Sequence, residues 1–354
     1  MSSSPAQNFV EYYEKCQQTG KFLFKQYFEE EFDFKSPIKY SVKYHNNIDN
    51  QLINISNSIL KNLHLNPHFQ IFDGALTNFW NEKLFQGLYS LIKVVITNPN
   101  SDPNCLPKCI LFLHLSKVNF DSDGYKNIFQ AIETVEIKEI DISYESLVEF
   151  KPLYIKVLKN KQVQQFSMNV IQKVLGSKPV NYDFSKIKLE FFTAKIPGLN
   201  AFAGIDAIYI SFDELMSFRS RLNEKLNEID VLTFLKLNFL RMIQHEITHV
   251  ILRDLADDLN VSTPDLLNKN SVSSSVEESG LMAEIEHFGG RVDWARSSFN
   301  DNFNIEYCRN YLRKIEADEN EKFDIQKANV EQNSNQPKIM ALDFSFPSQK
   351  FMYE

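Results

Sequence analysis

Three side chains in one short stretch could do chemistry together: His245, Glu246 and His249, in the run His-Glu-Ile-Thr-His. Residues four apart share one face of an α-helix, one turn from each other, so both imidazoles can take corners of a single tetrahedral metal site. Zn2+ suits such a donor pair. Glu246, beside the first imidazole, is placed to take a proton from a metal-polarised water and pass it to a leaving group. The competing reading is a structural histidine pair. With seven His in 354 residues, a chance match occurs in roughly one chain in a hundred of this composition, and every motif match carries that risk.

The motif needs a helix, and its flanks supply one. Leu232, Leu235, Phe239, Met242, Ile243, Ile247, Val250, Ile251 and Leu255 recur at three- and four-residue spacings, with no Pro or Gly from Asp230 to Asp258. So apolar a helix is buried on most sides, and the polar groups it carries inward need partners, for which a metal is the economical choice. Upstream, residues 160–175 read as an amphipathic helix, 186–192 and 207–211 as strands, and 213–228 as a charged helix. Downstream, 257–276 is polar, with Pro264 and a serine run, and reads as a loop able to gate a cleft. A second short helix follows, ending at Gly289-Gly290.

Asn200-Ala-Phe-Ala203, a short hydrophobic strand, a helix and then HExxH resemble the zincin-like metallopeptidases of gluzincin type. More distantly, around Asn200–His249, this order is similar to the CaaX-prenyl endopeptidase family. The resemblance covers roughly residues 155–310, and the HExxH is its specific part. It implies a zincin-like fold with an edge strand, here Ala207, Ile208, Tyr209 and Ile210, that binds peptide substrate by strand addition. It also implies a third zinc ligand from a glutamate on a later helix. Glu278, before Ser279-Gly280, resembles the usual setting; Glu284 is the alternative third ligand, or else a carboxylate behind a ligand histidine. Glu277 and Glu286 are further candidates, and for Glu286 a solvated helix face is the plainer reading. His287, Arg291 and Tyr307 are candidate oxyanion stabilisers. The chain departs from the CaaX-prenyl family in lacking membrane helices and in reading Glu-Ser-Gly rather than Glu-x-x-Ala-Asp, so a membrane substrate is not implied.

Length and composition bound the rest. The chain has room for two domains, with 43% hydrophobic and 24% charged residues, as in ordinary globular proteins. A net charge of −8 argues against nucleic acid as a partner. Cys16, Cys105, Cys109 and Cys308 are too scattered for a disulfide framework and read as free thiols. The N-terminus has no signal-peptide pattern and no run is long enough to span a membrane, so the cytoplasm is the expected location. The expected class is α+β: an N-terminal α/β lobe over 1–154, a zincin-like domain over 155–315, and an acidic linker and tail over 316–354. Four runs of one apolar pattern, beginning at Leu60, Leu91, Ile110 and Ile137, suggest degenerate leucine-rich repeats in the first lobe, with a concave face for a protein partner. The expected activity is zinc-dependent hydrolysis of peptide bonds in a peptide or protein substrate. The alternative is an inactive zincin-like scaffold whose N-terminal half is a protein-interaction module.

Overall fold

A computed structural model describes residues 5–19, 48–65, 78–98, 101–116, 132–138, 148–176, 181–196, 198–259, 261, 278–332 and 342–344. The architecture is mixed helix and strand. Helices α1 (Pro5–Thr19), α2 (Ile48–Leu65), α3 (Asn78–Thr97) and α4 (Cys105–Leu115) come first, followed by the short strand β1 (Glu136–Lys138). Then come α5 (Phe150–Lys159), α6 (Lys161–Leu175), β2 (Lys188–Thr193), β3 (Leu199–Ala203), β4 (Ala207–Ser211), α7 (Phe212–Asn223) and the long α8 (Glu228–Ala256). The chain continues through α9 (Ser279–Phe288), single-turn α10 (Trp294–Ser297), α11 (Ile305–Glu316), single-turn α12 (Ile325–Ala328) and β5 (Leu342–Phe344).

The five strands form one sheet in the order β1-β2-β4-β3-β5. Only the β2–β4 pair is parallel; β1 joins β2, and β3 joins both β4 and β5, in antiparallel register. Side chains alternate across the sheet with the two-residue period of a strand. Leu189, Phe191, Ile208 and Ile210 face a core shared with α5 to α11, whereas Phe192, Ala207 and Tyr209 face a second core built with α1 to α4. In β3 a register shift between Leu199 and Ala201 sends these two residues to opposite cores. The sheet is thus covered by helices on both sides, and α8 lies along its inner face against β3 and β4.

Helix boundaries follow local chemistry. Asn160 separates α5 from α6, and its side chain accepts from the backbone N–H groups of Gln162 and Val163. Asn227 caps α8 by accepting from Asp230 N, with Glu228 and Asp230 complementing the helix dipole in the first turn.

Four expectations are corrected. The strand 207–211 forms where the sequence places it, but Ala207, Ile208, Tyr209 and Ile210 are not an edge: β4 is bonded to β2 on one side and β3 on the other. A fully buried run of alternating Ile, Tyr and Ala suits a central strand as well as an edge, and periodicity alone does not separate them. The repeat-like runs at Leu60, Leu91 and Ile110 lie in α2, α3 and α4, because the first two apolar residues of each run, three apart, share one face of a helix. Of the fourth run, 137–138 lie in the described strand β1, and 139–142 lie outside the described residues. Among the described residues, the first lobe is helical up to β1, which joins the common sheet. Finally, the acidic stretch after residue 315 is no free linker up to Gln332: Phe323 and Ala328 are buried in the core, where Phe323 meets Phe288, Trp294 and Tyr311. Two apolar anchors outweigh a polar composition. Of the proposed gating segment 257–276, residues 260 and 262–276 lie outside the described residues.

Candidate metal centre

Helix α8 carries His245, Glu246 and His249 two-thirds of the way along its length. Helix α9 crosses beside it and starts at Glu278, whose carboxylate accepts from the N–H of Gly280 at 3.0 Å and of Leu281 at 2.7 Å. That N-cap geometry fixes the carboxylate at the helix N-terminus, where a negative charge is favoured. The same carboxylate meets both imidazoles: Glu278 Oε2 is 3.6 Å from His245 Nε2, and Glu278 Oε1 pairs with His249 Nε2. One ligand atom from each of the three residues lies within 4.8 Å of the others, so this buried group could hold a metal ion. His245 Nε2 has no hydrogen-bond partner among the described residues, as befits an atom that faces a ligand site.

The backs of both rings are held. A metal on Nε2 of each ring would leave the ring proton on Nδ1. His245 Nδ1 donates to Glu284 Oε1 at 2.7 Å, and His249 Nδ1 meets Ser279 Oγ at 3.2 Å. Arg241 Nη1 donates to the same Glu284 oxygen at 3.0 Å. Glu284 therefore lies behind the His245 ring, and Glu278 faces both rings.

The electrostatics call for a cation. Three carboxylates, Glu246, Glu278 and Glu284, are buried here with two guanidiniums, Arg241 and Arg253, so acidic groups outnumber the fixed cations. Burial alone would lower the pKa of His245, but the charges of Glu278, Glu284 and Glu246 outweigh it and raise the value to about 10. His249, for which burial dominates, falls to about 4. Burial opposes ionisation of Glu278, yet the two histidines and the helix N–H groups bring it down to about 2. A single proton on His245 thus restores the balance, and a metal ion would displace it.

Two of the candidate oxyanion groups, His287 and Tyr307, bond elsewhere. Both nitrogens of His287 are engaged elsewhere, with Gln244 Oε1 at 3.1 Å and Tyr311 Oη at 2.6 Å. Tyr307 Oη accepts from Asp324 N at 2.7 Å, and Arg291 follows the C-cap of α9, half-buried. Glu286 bonds Asn169 and pairs with Lys173 on a half-exposed face, and Glu277 lies outside the described residues. Sequence reasoning missed two arginines. Arg253, 1% exposed, donates from Nη1 to the Ala203 carbonyl at 3.0 Å and is in electrostatic reach of Glu246, Glu278 and His249. Arg241, His245, His249 and Arg253 follow each other at four-residue steps on one helix. Charged residues at that spacing, inside so apolar a helix, were the available signal.

Four free cysteines, all buried, are present. Among the described residues, no helix is long and apolar enough to cross a membrane. The chain has no significant match among models of protein families, curated proteins or solved structures.

Proposed function

We propose that this chain is a zinc-dependent peptidase of gluzincin type, holding the metal through His245, His249 and Glu278 with Glu246 as general base. The observation that carries the reading is the convergence of two imidazole nitrogens and one carboxylate on a common point, with a second buried carboxylate adjacent in the same helix. Two His and one Glu are a donor set that suits zinc and leaves a fourth position for water or substrate.

Bound there, zinc would supply a Lewis acid that polarises water and a substrate carbonyl. The protein's own groups do the rest. Glu246 would take the proton from the attacking water and return it to the leaving amine. Glu284 and Ser279 fix the imidazole orientations, and Arg241 keeps Glu284 in place. Arg253, tied to the β3 carbonyl, places a positive charge near the base.

The test is metal content and activity on the same preparations. Wild type should hold about one zinc per chain by elemental analysis and cut an unfolded protein in a chelator-sensitive way, as a site of one ion predicts. Glu246→Gln should keep the zinc and lose hydrolysis by a factor on the order of a hundred or more. Full activity in that variant, or a wild type that takes up no zinc on reconstitution, would overturn the reading.

A further inference from the structure

We infer that Gln244 and Thr248 are positioning residues for the metal centre: through Ser167 of α6 and His287 of α9 they fix the rotation of α8, and the seating of α9 against it, at which His245, His249 and Glu278 meet. The inference rests on the metal-binding part of the proposed function and not on hydrolysis. Each of the two directly precedes a ligand histidine, so they lie one turn apart on α8, in step with His245 and His249 and about 100° round the helix from them. Both are wholly buried, as are Ser167 and His287. Gln244 Nε2 donates to Ser167 Oγ at 2.7 Å and to the Val163 carbonyl at 3.5 Å. A carbonyl only accepts, so Gln244 Oε1 is the atom that receives the His287 Nδ1–H at 3.1 Å, and His287 Nε2 is left to accept the Tyr311 hydroxyl at 2.6 Å. Thr248 Oγ1 donates to the Gln244 carbonyl at 2.8 Å and lies 3.1 Å from Ser167 Oγ. A single serine hydroxyl on α6 thus meets both anchors of α8.

Apolar packing alone would leave α8 free to turn. Around these groups Val163 and Ile171 of α6 share a core with Ile243, Ile247 and Ile251 of α8. Hydrophobic burial is non-directional and tolerates small rotations, whereas hydrogen bonds fix direction as well as distance. A turn of α8 by about 10° would carry a group about 6 Å from its axis through roughly 1 Å. Metal–ligand distances must hold to about 0.2 Å. The network supplies the missing constraint, and it also ties together the two helices that carry the ligands. Side-chain contacts between α8 and α9 run in order, Ser279 on His249, Glu284 on His245 and His287 on Gln244, so the two helices are antiparallel. The last of these three involves no ligand and seats α9 independently of the metal. Buried polar groups that are all satisfied rigidify a core and specify one arrangement of it.

The experiment compares two substitutions at Thr248 in the full chain. Thr248→Val keeps the shape and removes the hydroxyl; Thr248→Ser keeps the hydroxyl and removes a methyl group. Zn2+ affinity is measured by competition with a chromophoric chelator, the visible spectrum of bound Co2+ reports ligand geometry, and urea unfolding of the metal-free chains reports stability. Thr248→Val should bind Zn2+ about three- to tenfold more weakly and shift the Co2+ band, while Thr248→Ser keeps the wild-type affinity and spectrum even where it lowers stability. Should Thr248→Val fail to fold, Ser167→Ala removes the shared hydroxyl from the other helix and should weaken Zn2+ binding in the same way. A greater loss of affinity in Thr248→Ser than in Thr248→Val would assign the residue to packing and overturn the inference. Equal affinities and identical Co2+ spectra in wild type and the hydroxyl-free variant would overturn it too, and would leave the metal centre intact. A wild type that takes up neither Zn2+ nor Co2+ would overturn the metal reading and this inference with it.

Discussion

Gly280 lies flat against the His245 ring: a Cβ placed on Gly280 would come within 2.5 Å of His245 Cδ2 and 2.6 Å of Nε2. Real Cβ contacts are never that short, and the ring has nowhere to retreat while its Nδ1 is bonded to Glu284 at 2.7 Å. The absence of a side chain at 280 is therefore what allows α9 to approach α8 closely enough for Glu278 to meet both imidazoles. Gly280→Ala should push His245 or Glu278 off its present position, lower zinc affinity by on the order of tenfold or more, and cost about 1–3 kcal/mol in stability from overpacking. Competition titration against a chromophoric chelator measures the first effect and urea unfolding the second. Unchanged affinity in a folded Gly280→Ala chain would mean that the contact does not set the ligand geometry.

Glu278 and Glu284 make different demands on the same imidazole. Glu278 meets the Nε2 atoms of both rings, whereas Glu284 bonds only Nδ1 of His245 and is itself held by Arg241. Removing a ligand should cost more than loosening a ring. Glu278→Ala should abolish stoichiometric zinc in the purified protein. Glu284→Gln, which keeps the shape and a hydrogen-bonding oxygen, should retain zinc with affinity reduced about 10- to 100-fold. The reverse order in parallel elemental analyses would reassign the third ligand to Glu284.

How far these roles were legible depends on which physical signal each one leaves. Helix α8 was readable because it writes its burial into three- and four-residue spacings over 29 residues. Glu278 was readable through the short residues that follow it, since Ser279 and Gly280 both touch the histidines. The position of β4 was not, because a central strand and an edge strand packed between two helical layers share one burial pattern. Nor was the path after residue 315, where Phe323 and Ala328, with Ile325 and Val330 packed beside them, carry a polar stretch into the core. Arg253 was hidden for a different reason: its partners are a backbone carbonyl on β3 and carboxylates brought together only by the fold. In α2 to α4 the apolar residues were identified correctly as structural, and the error lay in the period assigned to them.

His287 gives the fold an acid sensitivity that can be isolated from the metal. Burial lowers its pKa to about 3, and its two nitrogens bridge Gln244 of α8 and Tyr311 of α11. The unfolded chain has an ordinary histidine at about 6.5. Below that value the unfolded state takes up a proton that the folded state refuses, so stability is complete above pH ~6.5 and falls as the pH drops toward 3. For one such group the loss between pH 7 and pH 5 is about 2 kcal/mol. His249, also depressed by burial, titrates in the same direction, so wild type alone does not separate the two. The measurement is therefore a difference: urea unfolding of metal-free wild type and metal-free His287→Gln at both pH values. The variant should be less stable at pH 7, having exchanged an imidazole bridge for an amide, and should lose about 2 kcal/mol less on acidification. Identical pH slopes in the two proteins would show that His287 does not supply this sensitivity, and would leave His249 and the carboxylates around it as its source.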